Sequence, residues 1–425
     1  LHTSESAALA LDETPDPASR RGEFYLLPGK QQSTIAYLAG NSLGLQPKAT
    51  QTELLEDLRA WQELAVHGHT EASRQWFPYH ELLTESAARL VGAEPREVVM
   101  MNSLTVNLHL LLVSFYQPTA QRNLIVIEDY AFSSDSYAVR SHVAFHGLDP
   151  DTTVLRLRPR EGEHTLRTED VIATLHDHSD RIATVLLGGV NYLTGEVMDI
   201  PAITEAGHAI GATVGWDLAH AAGNIPLQLH KWDVDFAAWC TYKYVNSGPG
   251  AVAGAFIHAR HLTGDRPRFE GWWSNRPDTR FAMNPVCDPQ PTADAWSLSN
   301  PPIFALGPVR TSLNIFDQVG MPALRTRSLA LSTFLMSCLD DIAEETGITI
   351  ITPRADDQRG TQVSVRVPAD ARAVVEHMHA EYDVIADERP PDIIRLAPAP
   401  LYCTFHDCWR AVDALRRTLN ERIGQ

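Results

Sequence analysis

A chain of 425 residues is too long for one small core and suits either two domains or one large α/β unit. With 44% hydrophobic and 21% charged residues it has an ordinary globular composition, which argues against wholesale disorder. A formal net charge of −18 argues against nucleic-acid and anionic-membrane partners, and no apolar run approaches the roughly 20 residues of a spanning helix.

The start, LHTSESAALALDETPDP, has neither the basic opening nor the apolar stretch of a secretory leader. Residues 1–36 are polar and punctuated by proline, and an arm over 1–49 is expected to pack against a small C-terminal domain. Apolar positions at helical spacing predict helices over 52–66 and 80–93, the second ending on Gly92. EVVMMNS (97–103) reads as a buried strand and LTVNLHLLLVSFY (104–116) as an apolar helix. Further short β-rich runs lie at 122–129, 183–190 and 213–219, with helix-like stretches at 166–179 and 200–211. This alternation predicts an α/β fold with a mostly parallel sheet and helices on both faces, over residues 50–305. From about 305 a long helical stretch leads into TQVSVRV and DIIRLAPAPLY, which predicts a smaller α+β domain over 306–425.

The five cysteines, Cys240, Cys287, Cys338, Cys403 and Cys408, are an odd and sparse set that predicts reduced thiols and a cytoplasmic location. Cys403, His406 and Cys408 in CTFHDC lack a second pair at metal spacing, so they are expected to be filler and no metal is expected.

In such a sheet, ligands sit beyond the C-terminal strand ends. Asp217 closes one strand in WDLAH, and Lys243 follows in TYKYVNSGPG after an apolar run. Taken singly, Asp217 is a helix N-cap before LAHAAG and Lys243 a lysine snorkelling beside aromatics. Taken together they match what pyridoxal phosphate needs, a lysine to form the Schiff base and an acid to keep the pyridine nitrogen protonated. Ser103, Leu104 and Thr105 stand where strand gives way to helix, either an ordinary cap or a cradle for phosphate. Phe132 offers a ring to stack on a flat cofactor, with Asp135 nearby. Arg395, in an apolar strand, needs an anion; a substrate carboxylate and a structural salt bridge both remain open.

YLAGNSLGLQPK, LTVNLHLLLVSFY, NYLTGEVMDIPAI, GWDLAHAAGN, DFAAWCTYKYVNSGPG, GAFIH and SNPPI together resemble the kynureninase family, from about residue 24 to about 415. The resemblance implies a fold-type-I pyridoxal-phosphate enzyme with a seven-stranded, mostly parallel sheet. It implies hydrolytic Cβ–Cγ cleavage of kynurenine or 3-hydroxykynurenine, in tryptophan catabolism and NAD biosynthesis. Lys243 resembles the Schiff-base lysine, Tyr242 the tyrosine that contacts phosphate and relays protons, and Asp217 the partner of the pyridine nitrogen. His220, Leu104, Thr105, Phe132 and Asp135 match cofactor-binding positions, and Arg395 the arginine that takes the substrate carboxylate. Trp272 and Asn300 are similar to residues supplied by a neighbouring subunit, which implies a homodimer with sites at the interface.

His69, Ser299 and Asn300 resemble the set found in members that favour the hydroxylated substrate, since such groups can bond the extra hydroxyl. A tyrosine beside phosphate and lysine is expected to have its pKa drawn toward working pH. Gly188 stands where many relatives carry serine, so a hydroxyl contact near the phosphate is not carried over. Two rivals share the fold: a cysteine desulfurase, for which Cys287 is the one plausibly placed thiol, and a scaffold that has lost catalysis.

Overall fold

Short apolar runs become strands here because both faces of the sheet they enter are covered. The computed structural model describes residues 2–423. Strands β1 (Val98–Met100), β2 (Leu124–Glu128), β3 (Val154–Leu157), β4 (Ile182–Gly188), β5 (Thr213–Asp217), β6 (Phe236–Trp239) and β7 (Gly254–Ile257) form one seven-stranded sheet. Their spatial order is β1-β7-β6-β5-β4-β2-β3. Strand β7 runs antiparallel to both its neighbours, and the other pairs are parallel. Along β2, Leu124 and Val126 join the apolar cluster on one face while Ile125 and Ile127 join that on the other.

Helices α1 (Ala49–Leu64), α2 (Glu81–Val91), α3 (Leu104–Phe115), α4 (Ser133–Phe145), α5 (Thr168–Asp177) and α6 (Ile200–Ala209) follow the predicted pattern closely, α4 having no counterpart in it. Strands β3, β6 and β7 were not legible as strands. Each has four residues; β3 is a half-buried edge strand carrying Arg156, and β6 and β7 are rich in alanine and glycine. Helix α2 stops at Gly92 with φ +65°, where a Cβ would press into the Leu227 carbonyl. Gly92→Ala is therefore expected to cost about 1–3 kcal/mol, measured as a lower urea midpoint at unchanged slope.

The single long helical stretch expected after residue 305 is two helices, α7 (Ile303–Val319) and α8 (Met321–Thr346). Gly320 adopts φ 82° between them, and Pro322 in the first turn of α8 has no amide to continue α7. Beyond them, β8 (Thr349–Ile350), β9 (Val363–Arg366), β10 (Asp387–Arg389) and β11 (Ile393–Leu396) form an antiparallel sheet in the order β10-β11-β9-β8. Helices α9 (Ala371–Tyr382) and α10 (Phe405–Ile423) complete this part of the chain.

The N-terminal arm is tied to the C-terminal region. A helix over Glu5–Asp12 presents the Asp12 carboxylate to the first turn of α10, accepting from the Phe405 and His406 amides at 2.9 Å each. Ala36–Tyr37 pairs in parallel with Val384–Ile385. Cys403 and Cys408 are buried in the core, and His406 pairs with Glu5 at 3.0 Å. Among the described residues, no helix is long and apolar enough to cross a membrane.

Candidate active site

The C-terminal ends of the parallel strands converge on a cavity of about 360 Å³, and the loops after β1, β2, β4, β5 and β6 each deliver residues to it. At the β1–α3 turn, Leu104 and Thr105 line the cavity and open α3. Ser103 is the N-cap, yet its side chain makes no capping hydrogen bond. That sets aside the ordinary-cap reading and leaves first-turn amides open to an anion.

After β2, Phe132 caps α4 and Asp135 lies in its first turn. The Phe132 ring centroid is 5.8 Å from Lys243 Nζ. Asp217 ends β5, and its Oδ1 accepts the Ala219 amide at 2.7 Å, the turn-capping contact expected of it alone. Its carboxyl also shares a hydrogen bond with that of Asp135. Burial raises the pKa of both groups, and the Asp217 charge raises Asp135 further, so Asp135 keeps the proton and donates it to Asp217.

A third acid was missed. Glu128, at the end of β2, lines the same cavity and accepts the Gly188 amide at 2.9 Å through Oε1. A Cβ at position 188 would lie 3.1 Å from that oxygen, so glycine leaves the carboxylate its room. Burial pushes Glu128 up to about 7, and buried Glu196 is pushed up to about 8. Between the ordinary carboxylate pKa and these raised values, the folded chain binds more protons than the unfolded one. Stability contributed by these groups is therefore full at low pH and lost as pH rises through about 7 to 8. Glu128→Gln is expected to remove its share of that loss, between about pH 5 and 7, in the cofactor-free protein and leave the Glu196 share, as read from urea midpoints.

Lys243 Nζ donates to His220 Nε2 at 3.0 Å. Burial, and then the Lys243 charge, hold the His220 pKa well below its ordinary value, so the imidazole is neutral. Its buried Nδ1 has no protein partner. Tyr242 also lines the cavity, but its phenol is not drawn toward working pH. Burial pushes it up to about 12, with Cys240 and Asp217 adding to the shift, so at neutral pH it is a proton donor.

Arg395, 1% exposed, lines the cavity from β11. The β10–β11 register sets Asp387 directly opposite, and Nη2 pairs with its Oδ2 at 2.5 Å while Nη1 donates to the Tyr192 carbonyl at 2.7 Å. Nε is buried without a partner. The structural salt bridge is therefore present, and the buried Nε keeps donor capacity that it does not use.

These residues fit pyridoxal phosphate: a lysine, an acid pair, an aromatic face, open helix amides and an orphaned buried histidine nitrogen. Four expected residues lie outside the cavity. Ser299 and Asn300 are exposed in the loop before α7. Trp272 and His69 share one aromatic cluster, Trp272 edge-on to Phe281 at 5.3 Å, Phe281 to Phe77 at 5.3 Å, and His69 stacked on Phe77 at 4.5 Å. Asn41, Tyr192 and Arg389 line the cavity and were missed. Glu128 alone had a legible signal, an acid ending the buried run LIVIE.

A family model for the kynureninase C-terminal domain matches residues 324–415. A kynureninase of Salinispora tropica is 61% identical over 99% of this chain and 98% of its own length. The chain belongs to the kynureninase family. Kynureninases of Koribacter versatilis and Myxococcus xanthus are 49% and 51% identical over 98% and 97% of this chain, covering 98% and 96% of their own lengths.

Among solved structures, a cysteine desulfurase from Thermococcus onnurineus superposes with a TM-score of 0.78 at 15% identity, covering 96% of this chain and 99% of its own. A C-DES mutant with glycine covalently linked to the PLP cofactor gives a TM-score of 0.75 at 18% identity, with the same coverage. At these identities the likeness is one of fold, that of fold-type-I PLP-dependent enzymes. A desulfurase reading of the kynureninase-family chain also fails on its thiol. Cys287 sits outside the cavity beside Glu270 and Trp272, and burial raises its pKa, where a sulfur nucleophile needs a thiolate.

Proposed function

We propose that this chain is a pyridoxal-phosphate-dependent hydrolase that cleaves the Cβ–Cγ bond of L-kynurenine, 3-hydroxy-L-kynurenine or both. The products are L-alanine and anthranilate or its 3-hydroxy form. The observation that carries the reading is one cavity in which Lys243, the Asp217–Asp135 pair and Arg395 meet.

When bound, pyridoxal phosphate supplies an aldehyde for an amine and a ring that withdraws electrons from bonds at the carbon it holds. Lys243 would hold the cofactor's aldehyde, and its amine, oriented through Nζ by neutral His220, would be the base for the substrate α-proton. Asp217 would keep the ring nitrogen protonated, with Asp135 supporting its carboxylate by a hydrogen bond. The open first turn of α3, with Leu104 and Thr105 at the cavity, would take the phosphate, and Phe132 would offer its ring to the cofactor. Arg395 and Arg389, anchored on the two oxygens of Asp387, present donors to the substrate carboxylate. Water would add across the γ-carbonyl, breaking the Cβ–Cγ bond would leave Cγ as the carboxyl group of the aromatic product and the electron pair on Cβ, and the neutral phenol of Tyr242 would protonate that carbon.

The same reading places the protein in the cytoplasm as a homodimer, built from an arm (1–49), a large domain (50–305) and a small domain (306–425). His69, Trp272, Ser299 and Asn300 lie outside the cavity of their own chain, as residues lent to a partner's site would. Trp61, Phe281, Met283 and Val286 are exposed apolar side chains that such a partner would cover. The test is kcat/KM for the two substrates side by side on cofactor-loaded protein. Preference for the hydroxylated substrate supports His69, Ser299 and Asn300 as the selector, and preference for kynurenine reduces them to structure. Cleavage of neither by a protein that stays yellow would reject the assignment.

A further inference from the structure

Between β4 and α6 the chain doubles back on itself. Val190 pairs with Val197 in a short antiparallel bridge. Inside it the Asn191 amide donates to the Glu196 carbonyl at 2.8 Å, and the Gly195 amide donates to the Asn191 carbonyl at 2.9 Å. Asn191 and Tyr192 line the catalytic cavity from this turn. We propose that Asn191 is a further substrate-binding residue, whose side-chain amide donates to the substrate α-carboxylate beside Arg395. Asn191 takes this role only if Arg395 anchors that carboxylate, as the proposed function has it.

The orientation of the Asn191 side chain is fixed by what its oxygen holds. Oδ1 accepts the Leu193 amide at 2.9 Å, the Thr194 amide at 3.0 Å and the Thr194 hydroxyl at 3.3 Å, the pattern of an Asx turn. Backbone N–H groups need an acceptor, so the oxygen stays on that side and Nδ2 is the opposite end. Nδ2 has no partner among the described residues, which leaves two N–H donors on a residue at the cavity wall.

The turn stands where the carboxylate would lie. The carbonyl of the next residue, Tyr192, accepts Arg395 Nη1 at 2.7 Å and Gln362 Nε2 at 3.1 Å. Arg395 spends one donor there and another on Asp387, so two of its five N–H groups are committed before a ligand arrives. A neutral donor one residue from that contact helps to satisfy an anion that has two oxygens. Gly195 adopts φ +75°, and a Cβ there would lie 2.8 Å from the Gln362 carbonyl oxygen. The turn is therefore packed against the C-terminal part of the chain, and the donor is presented on a pinned element.

Two substitutions separate the donor from the turn. Asn191→Asp keeps an oxygen for the Leu193 and Thr194 amides and puts a negative charge in place of the donor. Asn191→Ser keeps a smaller turn-capping oxygen and removes the amide without adding charge. KM for kynurenine is expected to rise about tenfold to a hundredfold in Asn191→Ser and further in Asn191→Asp, with a smaller change in kcat. L-Alanine titrated into cofactor-loaded protein, followed by cofactor absorbance rather than turnover, should bind more weakly by the same factor. Ethylamine, the same amine without a carboxylate, should bind parent and variants alike. Unchanged L-alanine affinity in Asn191→Ser would overturn the proposal and leave Asn191 as a turn residue, and so would equal weakening of ethylamine. A rise confined to Asn191→Asp would overturn it as well, as a charge effect on Arg395. A parent protein that neither cleaves kynurenine nor responds to L-alanine would reject the proposed function, and this role of Asn191 with it.

Discussion

Lys243→Ala is expected to abolish alanine release from kynurenine, with kcat falling by about four orders of magnitude or more. The size of the effect follows from the two tasks proposed for one amine, holding the cofactor and moving the α-proton, neither of which His220 can take over. Burial holds His220 neutral, but its Nε2 is aimed at Lys243 Nζ. The variant is expected to fold, because Lys243 is only partly buried at a cavity wall and makes no contact on which the apolar core depends. A purified variant that binds the cofactor, lacks the absorbance of the lysine-bound form and releases no alanine meets the expectation. Appreciable alanine release would remove Lys243 from the chemistry.

Asp217→Asn is expected to lower kcat by about 10²–10³-fold with a smaller change in KM. The amide keeps the shape, and its oxygen can still accept the Ala219 amide that Asp217 accepts at 2.7 Å. What it loses is the negative charge that, on the proposed reading, would hold a proton on the ring nitrogen. The Asp135 proton, now donated to Asp217, would face a neutral amide, so a shift in the cofactor's absorbance should accompany the loss in rate. A kcat within tenfold of the parent would mean that another group carries the ring nitrogen. Glu128, in the same cavity, would be the first to examine.

The legible residues share a property: each sits in a local pattern that needs explaining without reference to the rest of the chain. Lys243 between tyrosines, Asp217 at the end of an apolar run, and a polar turn between strand and helix at Ser103 are all visible in windows of a few residues. Arg395 was visible as an anomaly but not as an answer, because its two candidate partners are distant or absent in sequence. Pairing of β10 with β11 brings Asp387 opposite it, and the curl of the chain brings in the Tyr192 carbonyl. Glu128 was legible only as an acid closing a buried run, since nothing local says that Gly188 and Asp217 will stand beside it. That adjacency comes from parallel register, Gly188 opposite Asp217 on β4 and β5.

By itself the sequence determined the alternation of strand and helix, the lysine–aspartate pair and the family, because periodicity and short motifs are properties of neighbouring residues. Only the tertiary structure decided which acids share a proton, which way Tyr242 titrates and which charges face Arg395. Those depend on burial and on contacts across tens to hundreds of residues, and desolvation cannot be read from a window.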